Sequence, residues 1–198
     1  VLAKLRASFA IVLQAPPGAG KTTRVPPAIL DAGLAGSRGI IVLEPRRIAA
    51  RAAARRMSVE RGTQPGDLIG WHVRFERQAS RNTRILAVTP GILLRMMQDD
   101  PFLESTGVVI FDEFHERGLE TDLAFGLLRL VQTNVRPDLK LVVMSATLDA
   151  EYIAAYLGNC PIVTSEGRTF PVEIRHEAKR EADRWPFATA KAVASMLD

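Results

Sequence analysis

The 198-residue sequence has one cysteine, Cys160, which excludes an intrachain disulfide and leaves no set of thiolates to hold zinc. Cys160 lies in an apolar stretch and is read as packing in a reducing compartment. No apolar run approaches the ~20 residues that span a bilayer, and no leader opens the chain, so a cytoplasmic protein without a membrane partner is expected. Repeats and low-complexity linkers are missing too, apart from the alanine-rich Ala49–Ala54, which reads as good helix.

What is present suffices for a core. Hydrophobic residues make up 47% of the chain and charged residues 24%, mixed in sign, which argues against disorder. The net charge is +4, from 26 Lys and Arg against 22 Asp and Glu, with a pI near 9.6. That excess favours a polyanionic partner yet falls within the range of ordinary enzymes. Arg46, Arg47, Arg51, Arg55, Arg56 and Arg61 crowd one segment, and on charge alone a solvated helix face explains them as well as a phosphate-contacting surface does.

Short apolar runs alternate with longer helical patterns, which predicts an α/β fold with a mostly parallel sheet and helices on both faces. Strands are expected over Phe9–Leu13, Gly39–Leu43, Ile69–Val73, Arg84–Val88, Val108–Phe111, Leu141–Met144 and Ile162–Thr164. Helices are expected over Lys21–Ala32, Ile48–Arg61, Gly91–Gln98, Leu119–Thr133, Ala150–Leu157 and Pro186–Leu197. One domain should occupy residues 1–165. An extended segment over Pro171–His176 and a final helix then follow within residues 166–198.

The first strand runs into Ala15-Pro-Pro-Gly-Ala-Gly-Lys-Thr22 and then a helix. This order suits a polyphosphate: small residues at Gly18, Ala19 and Gly20 let backbone amides curl round the β-phosphate, the helix start adds its positive dipole end, and Lys21 reaches the β/γ-phosphates. Thr22 places a hydroxyl on Mg²⁺, and Thr23 is expected beside it among the nucleotide-binding residues. Ala15 stands where a P-loop has its first glycine, a substitution that matters if the position needs positive φ.

A second apolar strand delivers Asp112-Glu-Phe-His115. In an open parallel sheet the ligand crevice lies beyond the carboxyl ends of the strands, so these acids should arrive beside the phosphate loop. There Asp112 would hold Mg²⁺, partly through water, and Glu113 would orient or deprotonate an attacking water. Two acids after a strand can also simply open a loop or a helix. His115 has no Cys or His at zinc spacing and is not read as a ligand. A third strand ends in Ser145-Ala-Thr147, which can also cap the next helix.

With Glu44-Pro-Arg-Arg47 and Thr89-Pro-Gly91, these motifs stand in an order that closely resembles the DEAH-box helicases of superfamily 2, over essentially the whole chain. The resemblance implies a RecA-like domain that binds ATP, other NTPs included, with Mg²⁺, and couples hydrolysis to movement on single-stranded nucleic acid, RNA ahead of DNA. It implies that Lys21, Asp112 and Glu113 serve hydrolysis and that Arg46, Arg47, Thr89 and Gly91 line the strand's backbone track. Arg56 would stack on the nucleotide base, and His115, Ser145 and Thr147 would couple the two sites. Gly70-Trp-His-Val-Arg-Phe-Glu76 is similar to another family stretch, and Trp71 and Phe75 are read there as packed aromatics. Arg168–His176 is similar to the segment that joins two RecA-like domains, the second of which would supply arginine fingers.

Two other readings remain open on the residues alone. A P-loop kinase of a small molecule would leave Glu44-Pro-Arg-Arg47 and Ser145-Ala-Thr147 without a task. A nucleic-acid-binding module with a merely structural P-loop would leave Lys21, Thr22, Asp112 and Glu113 without one.

Overall fold

In the computed structural model, the strands are β1 (Ala10–Gln14), β2 (Gly39–Leu43), β3 (Ile69–Val73), β4 (Glu76–Gln78), β5 (Ile85–Val88), β6 (Thr106–Phe111), β7 (Lys140–Ser145) and β8 (Ile162–Thr164). The helices are α1 (Leu2–Ala7), α2 (Lys21–Asp31), α3 (Arg47–Glu60), α4 (Pro90–Asp99), α5 (Leu119–Asn134), α6 (Ala150–Tyr156) and α7 (Trp185–Ser195). The structure describes residues 1–146, 150–165, 173, 174, 176 and 184–196. Thr147 lies outside the described residues, as does most of Arg168–His176; Glu173, Ile174 and His176 are described and belong to no strand.

The sheet order is β4-β3-β5-β2-β6-β7-β1-β8, parallel throughout except for the β3–β4 hairpin. Strands covered on both faces need apolar residues at every position, and β6 is buried along its whole length. Alternate side chains of one strand enter opposite cores. Ile41, Leu43, Val109, Phe111 and Val143 meet Leu93 of α4, Phe125 and Leu128 of α5 and Ile153 of α6. Their neighbours Ile40, Val42, Val108, Ile110 and Val142 meet Leu5, Ile29 and Met57 on the other face. Each such burial stabilises the fold by about 1.5–3 kcal/mol before entropy is counted. Helix α3 buries Ala50, Ala53, Ala54 and Met57 at three- and four-residue spacing, and its small side chains let it lie close on the sheet.

Three elements were not expected from the sequence. Helix α1 has six residues and β4 three, too short for a periodic signal. The third is a single 3-10 turn at Phe114–Glu116. Helix α2 runs through Pro26 and Pro27, both buried, in spite of the two donors they remove. The chain divides into two compact units, Val1–Gly167 and Arg168–Asp198, and the second contains α7. Among the described residues no helix is long and apolar enough to cross a membrane.

Candidate nucleotide site and nucleic-acid cleft

The sheet order sorts the chemically interesting loops along one edge. Reading the carboxyl ends from β3 to β1, one meets the Arg74–Phe75 turn, then Thr89 after β5, Arg46 and Arg47 after β2, Asp112–Glu116 after β6, Ser145 at the end of β7, and the phosphate loop after β1. The carboxylate box therefore lies between a glycine-rich loop on one side and a run of arginines on the other.

Positive φ in the phosphate loop falls on Gly18 (76°) and Gly20 (77°), and Ala15 is not among the positive-φ residues. The alanine therefore costs no backbone strain. It is buried, and its amide donates to the Ser145 carbonyl at 3.1 Å, which ties the loop to β7. The Ala19 amide closes a turn onto the Pro16 carbonyl at 3.3 Å. Gly20 caps α2 in the left-handed conformation, and Lys21, Thr22 and Thr23 form the first helical turn, whose amides have no acceptor within the helix. Lys21 is buried, and its ammonium donates to the carbonyls of Ala15 (2.7 Å) and Pro16 (3.2 Å), folding back over the cradle that its loop encloses.

Thr22 Oγ1 donates to Asp112 Oδ2, so the hydroxyl and the carboxylate that the sequence assigns to one metal ion are in contact. Asp112 Oδ1 accepts from the Glu113 amide at 2.8 Å, and the Asp112 amide donates to the Leu43 carbonyl at 2.9 Å. Beside it lies Glu44, a residue the sequence offers only as part of a motif. Burial first, then the charge and hydrogen bond of Asp112 and the charges of Glu113 and Glu116, push the Glu44 carboxyl up to about 9. Glu44 Oε1 and Ser145 Oγ are buried with no hydrogen-bond partner among the described residues. An all-oxygen donor pair beside surplus carboxylates fits Mg²⁺. No group of three or more His, Cys, Asp and Glu forms a cage among the described residues, so the ion would take its other ligands from water and phosphate oxygens.

Glu113 opens the 3-10 turn with φ 46°, and Arg117 closes it with φ 51°. Phe114 anchors the turn. Its buried ring meets Phe111 and Phe125 at centroid distances of 5.7 and 4.8 Å, contacts worth about 0.5–1.5 kcal/mol each beyond the area they bury. His115 Nδ1 lies 3.3 Å from Glu113 Oε2.

On the other side of the box, a cleft of about 640 Å³ is lined by residues that include Arg47, Arg74, Thr89, Gly91, Arg95 and Arg117. It brings together three of the four residues assigned to the strand track. The fourth, Arg46, caps α3 in extended conformation and donates to Glu116 at 2.9 Å. Thr89 caps α4 and Gly118 caps α5, so with α3 three helix starts with their positive dipole ends contribute to the cleft. At Gly91 a Cβ would lie 3.2 Å from the Glu120 carboxylate, and its absence keeps that wall open.

Arg74, Arg95 and Arg117 are not singled out by the sequence reading, because they come from a hairpin turn, a helix interior and a loop. Arg117 is clamped by Asp122 through two hydrogen bonds of 2.9 and 3.0 Å. Trp71 is packed as expected, under the Arg55 guanidinium at 5.3 Å and with its indole N–H donating to Glu76. Phe75 is not packed: it sits at the tip of the two-residue β3–β4 turn with φ 69°, is 87% exposed, and carries the Arg74 guanidinium on its ring at 4.7 Å. Neighbouring helix positions diverge, so while Arg55 covers Trp71, Arg56 points to solvent and pairs with Glu60 at 2.7 Å.

Residues 1–155 match the family described as DEAD/DEAH box helicase. The chain is 47% identical over 188 residues to the ATP-dependent RNA helicase HrpB of Escherichia coli strain K12, which covers 94% of the chain and 23% of that protein. It is 44% identical over 174 residues to the pre-mRNA-splicing factor ATP-dependent RNA helicase prp22 of Schizosaccharomyces pombe, covering 87% of the chain and 15% of that protein. A crystal structure of the Escherichia coli DEAH/RHA helicase HrpB superposes with a TM-score of 0.87 at 46% identity, over 99% of the chain and 25% of the solved one. The chain thus spans a quarter or less of the length of these relatives.

Proposed function

The chain belongs to the DEAD/DEAH box helicase family, and we propose that it is the first RecA-like domain of an ATP-dependent DEAH-box helicase that couples NTP hydrolysis to translocation on, or unwinding of, nucleic acid, RNA ahead of DNA. The observation that carries this reading is the position of the carboxylate box: one sheet edge puts Asp112 against Thr22 of the phosphate loop and Glu116 against Arg46 at the margin of the cleft. A kinase reading has no use for that second contact.

In this reading the amides of Gly18, Ala19 and Gly20 and the Lys21 ammonium hold the β- and γ-phosphates, and Lys21 leaves its loop carbonyls to do so. Thr22 and Asp112 hold Mg²⁺, which would neutralise charge on the phosphates. Glu113 orients and deprotonates the attacking water. Arg56 is free enough to swing from Glu60 onto a base, and stacking of that kind is indifferent to base identity, so other NTPs are accepted beside ATP. Arg46, Arg47, Thr89 and Gly91, with Arg74 and Arg95, hold the sugar-phosphate backbone. His115, Ser145 and Thr147 couple the sites; Ser145 is supported by its carbonyl contact with the phosphate loop.

Residues 1–165 form the domain, and 166–198 are the linker and the beginning of a second RecA-like domain whose arginine fingers complete the site. Without them turnover should be slower by about 10³–10⁵. A cytoplasmic enzyme is the companion reading, supported by the single buried thiol at Cys160.

The test is nucleotide turnover by the intact protein with single-stranded RNA, or DNA of the same sequence, added in turn. RNA should stimulate hydrolysis of both ATP and GTP, and DNA should stimulate less. Turnover indifferent to either strand would refute the helicase reading.

A further inference from the structure

We propose that Glu116 is a positioning residue: it ties the turn that carries Glu113 to the cleft through Arg46, until the phosphates of a bound strand take its place on that arginine. The inference rests on the helicase reading above and assigns Glu116 a task that the motifs do not.

The geometry is a competition for one guanidinium. Arg46 Nη2 donates to Glu116 Oε2 at 2.9 Å, with 71% of the arginine side chain and 30% of the glutamate side chain exposed. Arg46 is therefore accessible to a strand while paired. A phosphate oxygen offers the same acceptor as a carboxylate, so the two exchange without new geometry. Among the described ion pairs, only this one crosses from the exit of β2 to the turn that carries Glu113. Arg117, in the same cleft, is held by Asp122 five residues along its own segment, so releasing it would not alter the link between the turn and β2.

The turn is short and bracketed by strain. Glu113 and Arg117, at its two ends, are non-glycine residues at φ 46° and 51°, and such conformations persist only where surrounding contacts over-determine them. Three of those contacts are Phe114 in the aromatic cluster, the Glu116 amide on the Glu113 carbonyl at 2.9 Å, and the Arg46–Glu116 pair. The first two lie within the box and the core. The third is the one a strand can remove. Releasing Glu116 frees the end of a turn whose beginning is the water-activating residue, so occupancy of the cleft is felt at Glu113.

The test follows turnover by the intact enzyme as single-stranded oligouridylate RNA is titrated, for wild type, Glu116→Gln, Arg46→Ala and the double variant. The pair is exposed, so RNA-free turnover should rise about 1.4- to 5-fold in either single variant and no further in the double. The RNA concentration for half-maximal stimulation should fall by a similar factor in Glu116→Gln and rise in Arg46→Ala, with KM for nucleotide unchanged. An arginine that only touches the strand would leave RNA-free turnover at the wild-type level in Arg46→Ala. That result, or single effects that add in the double variant, overturns the proposal. Should Glu116→Gln fold poorly, Arg46→Ala gives the RNA-free readout by itself. RNA-stimulated wild type with unmoved variants overturns this inference alone, whereas wild type indifferent to RNA overturns the helicase reading with it.

Discussion

Along the carboxyl edge of the sheet, the loop after β1 and the arginine cleft beside β2 treat charge in opposite ways. The loop buries its one lysine and satisfies it locally, on carbonyls five and six residues away. The cleft leaves its arginines exposed, and Arg46 at its margin pairs with an acid from a distant segment, Glu116, across 70 residues. A pocket for one small polyanion can be prearranged by a single loop and helix start. A track for a polymer must be assembled from several elements and stay open. The difference predicts that the nucleotide site answers to single substitutions almost all-or-none, while the cleft answers by increments.

The largest effect should come from Glu113→Gln in the intact enzyme. Steady-state turnover is expected to fall about 10²- to 10⁴-fold, with nucleotide binding retained, because a general base is lost while the phosphate contacts stay. Retained turnover would remove Glu113 from that role and blur the contrast between the two sites.

Arg47→Ala tests the other half. RNA affinity should weaken modestly, and the slope of log affinity against log salt should become shallower by about 0.7, the share of one single-strand phosphate contact. Affinity for Mg–nucleotide should not move. A change in nucleotide affinity instead would mean that the two regions are not separate sites.

The smallest effect is a control in the scaffold, remote from the strands' carboxyl ends. Asp138 accepts from Arg136 and Arg38, and chiefly the Arg136 guanidinium holds its carboxyl well below the ordinary value of 3.8. A depressed carboxyl pKa adds stability above the unfolded value, and that share is lost as pH falls through it towards the folded one. Asp138→Asn should therefore lower Tm slightly near neutral pH. The gap to wild type should narrow as a melting series is carried below pH 4, with nucleotide and RNA binding unchanged throughout.

How much of this was legible in the sequence follows the same contrast. The phosphate loop could be read because its parts are contiguous and each has a chemical task. Whether Ala15 harms it could not, since that depends on a φ value, and the structure puts the positive φ on Gly18 and Gly20 instead. The buried strands were found to within two residues at either end because runs such as Val108–Phe111 are apolar at every position. Arg46, Arg47, Thr89 and Gly91 came from motif resemblance. Arg74, Arg95 and Arg117 did not, because nothing local marks an arginine whose value lies in which strand is its neighbour in the sheet. Glu44 and Glu116 escaped for the same reason: a carboxyl pushed up to about 9, and an ion pair across 70 residues, exist only once β2 lies beside β6. Phe75 was misjudged because a tight two-residue turn, rather than a strand, decides where its ring points.

The account stands most directly on nucleotide binding at the β1 loop. Titration calorimetry of this chain and of Lys21→Ala with a non-hydrolysable ATP analogue and Mg²⁺, repeated with the GTP analogue, measures it. Binding by the wild type with little preference between the bases is expected, weakened about 10-fold or more in Lys21→Ala as a charged phosphate contact is lost. Equal binding by both proteins, or none by the wild type, would contradict it.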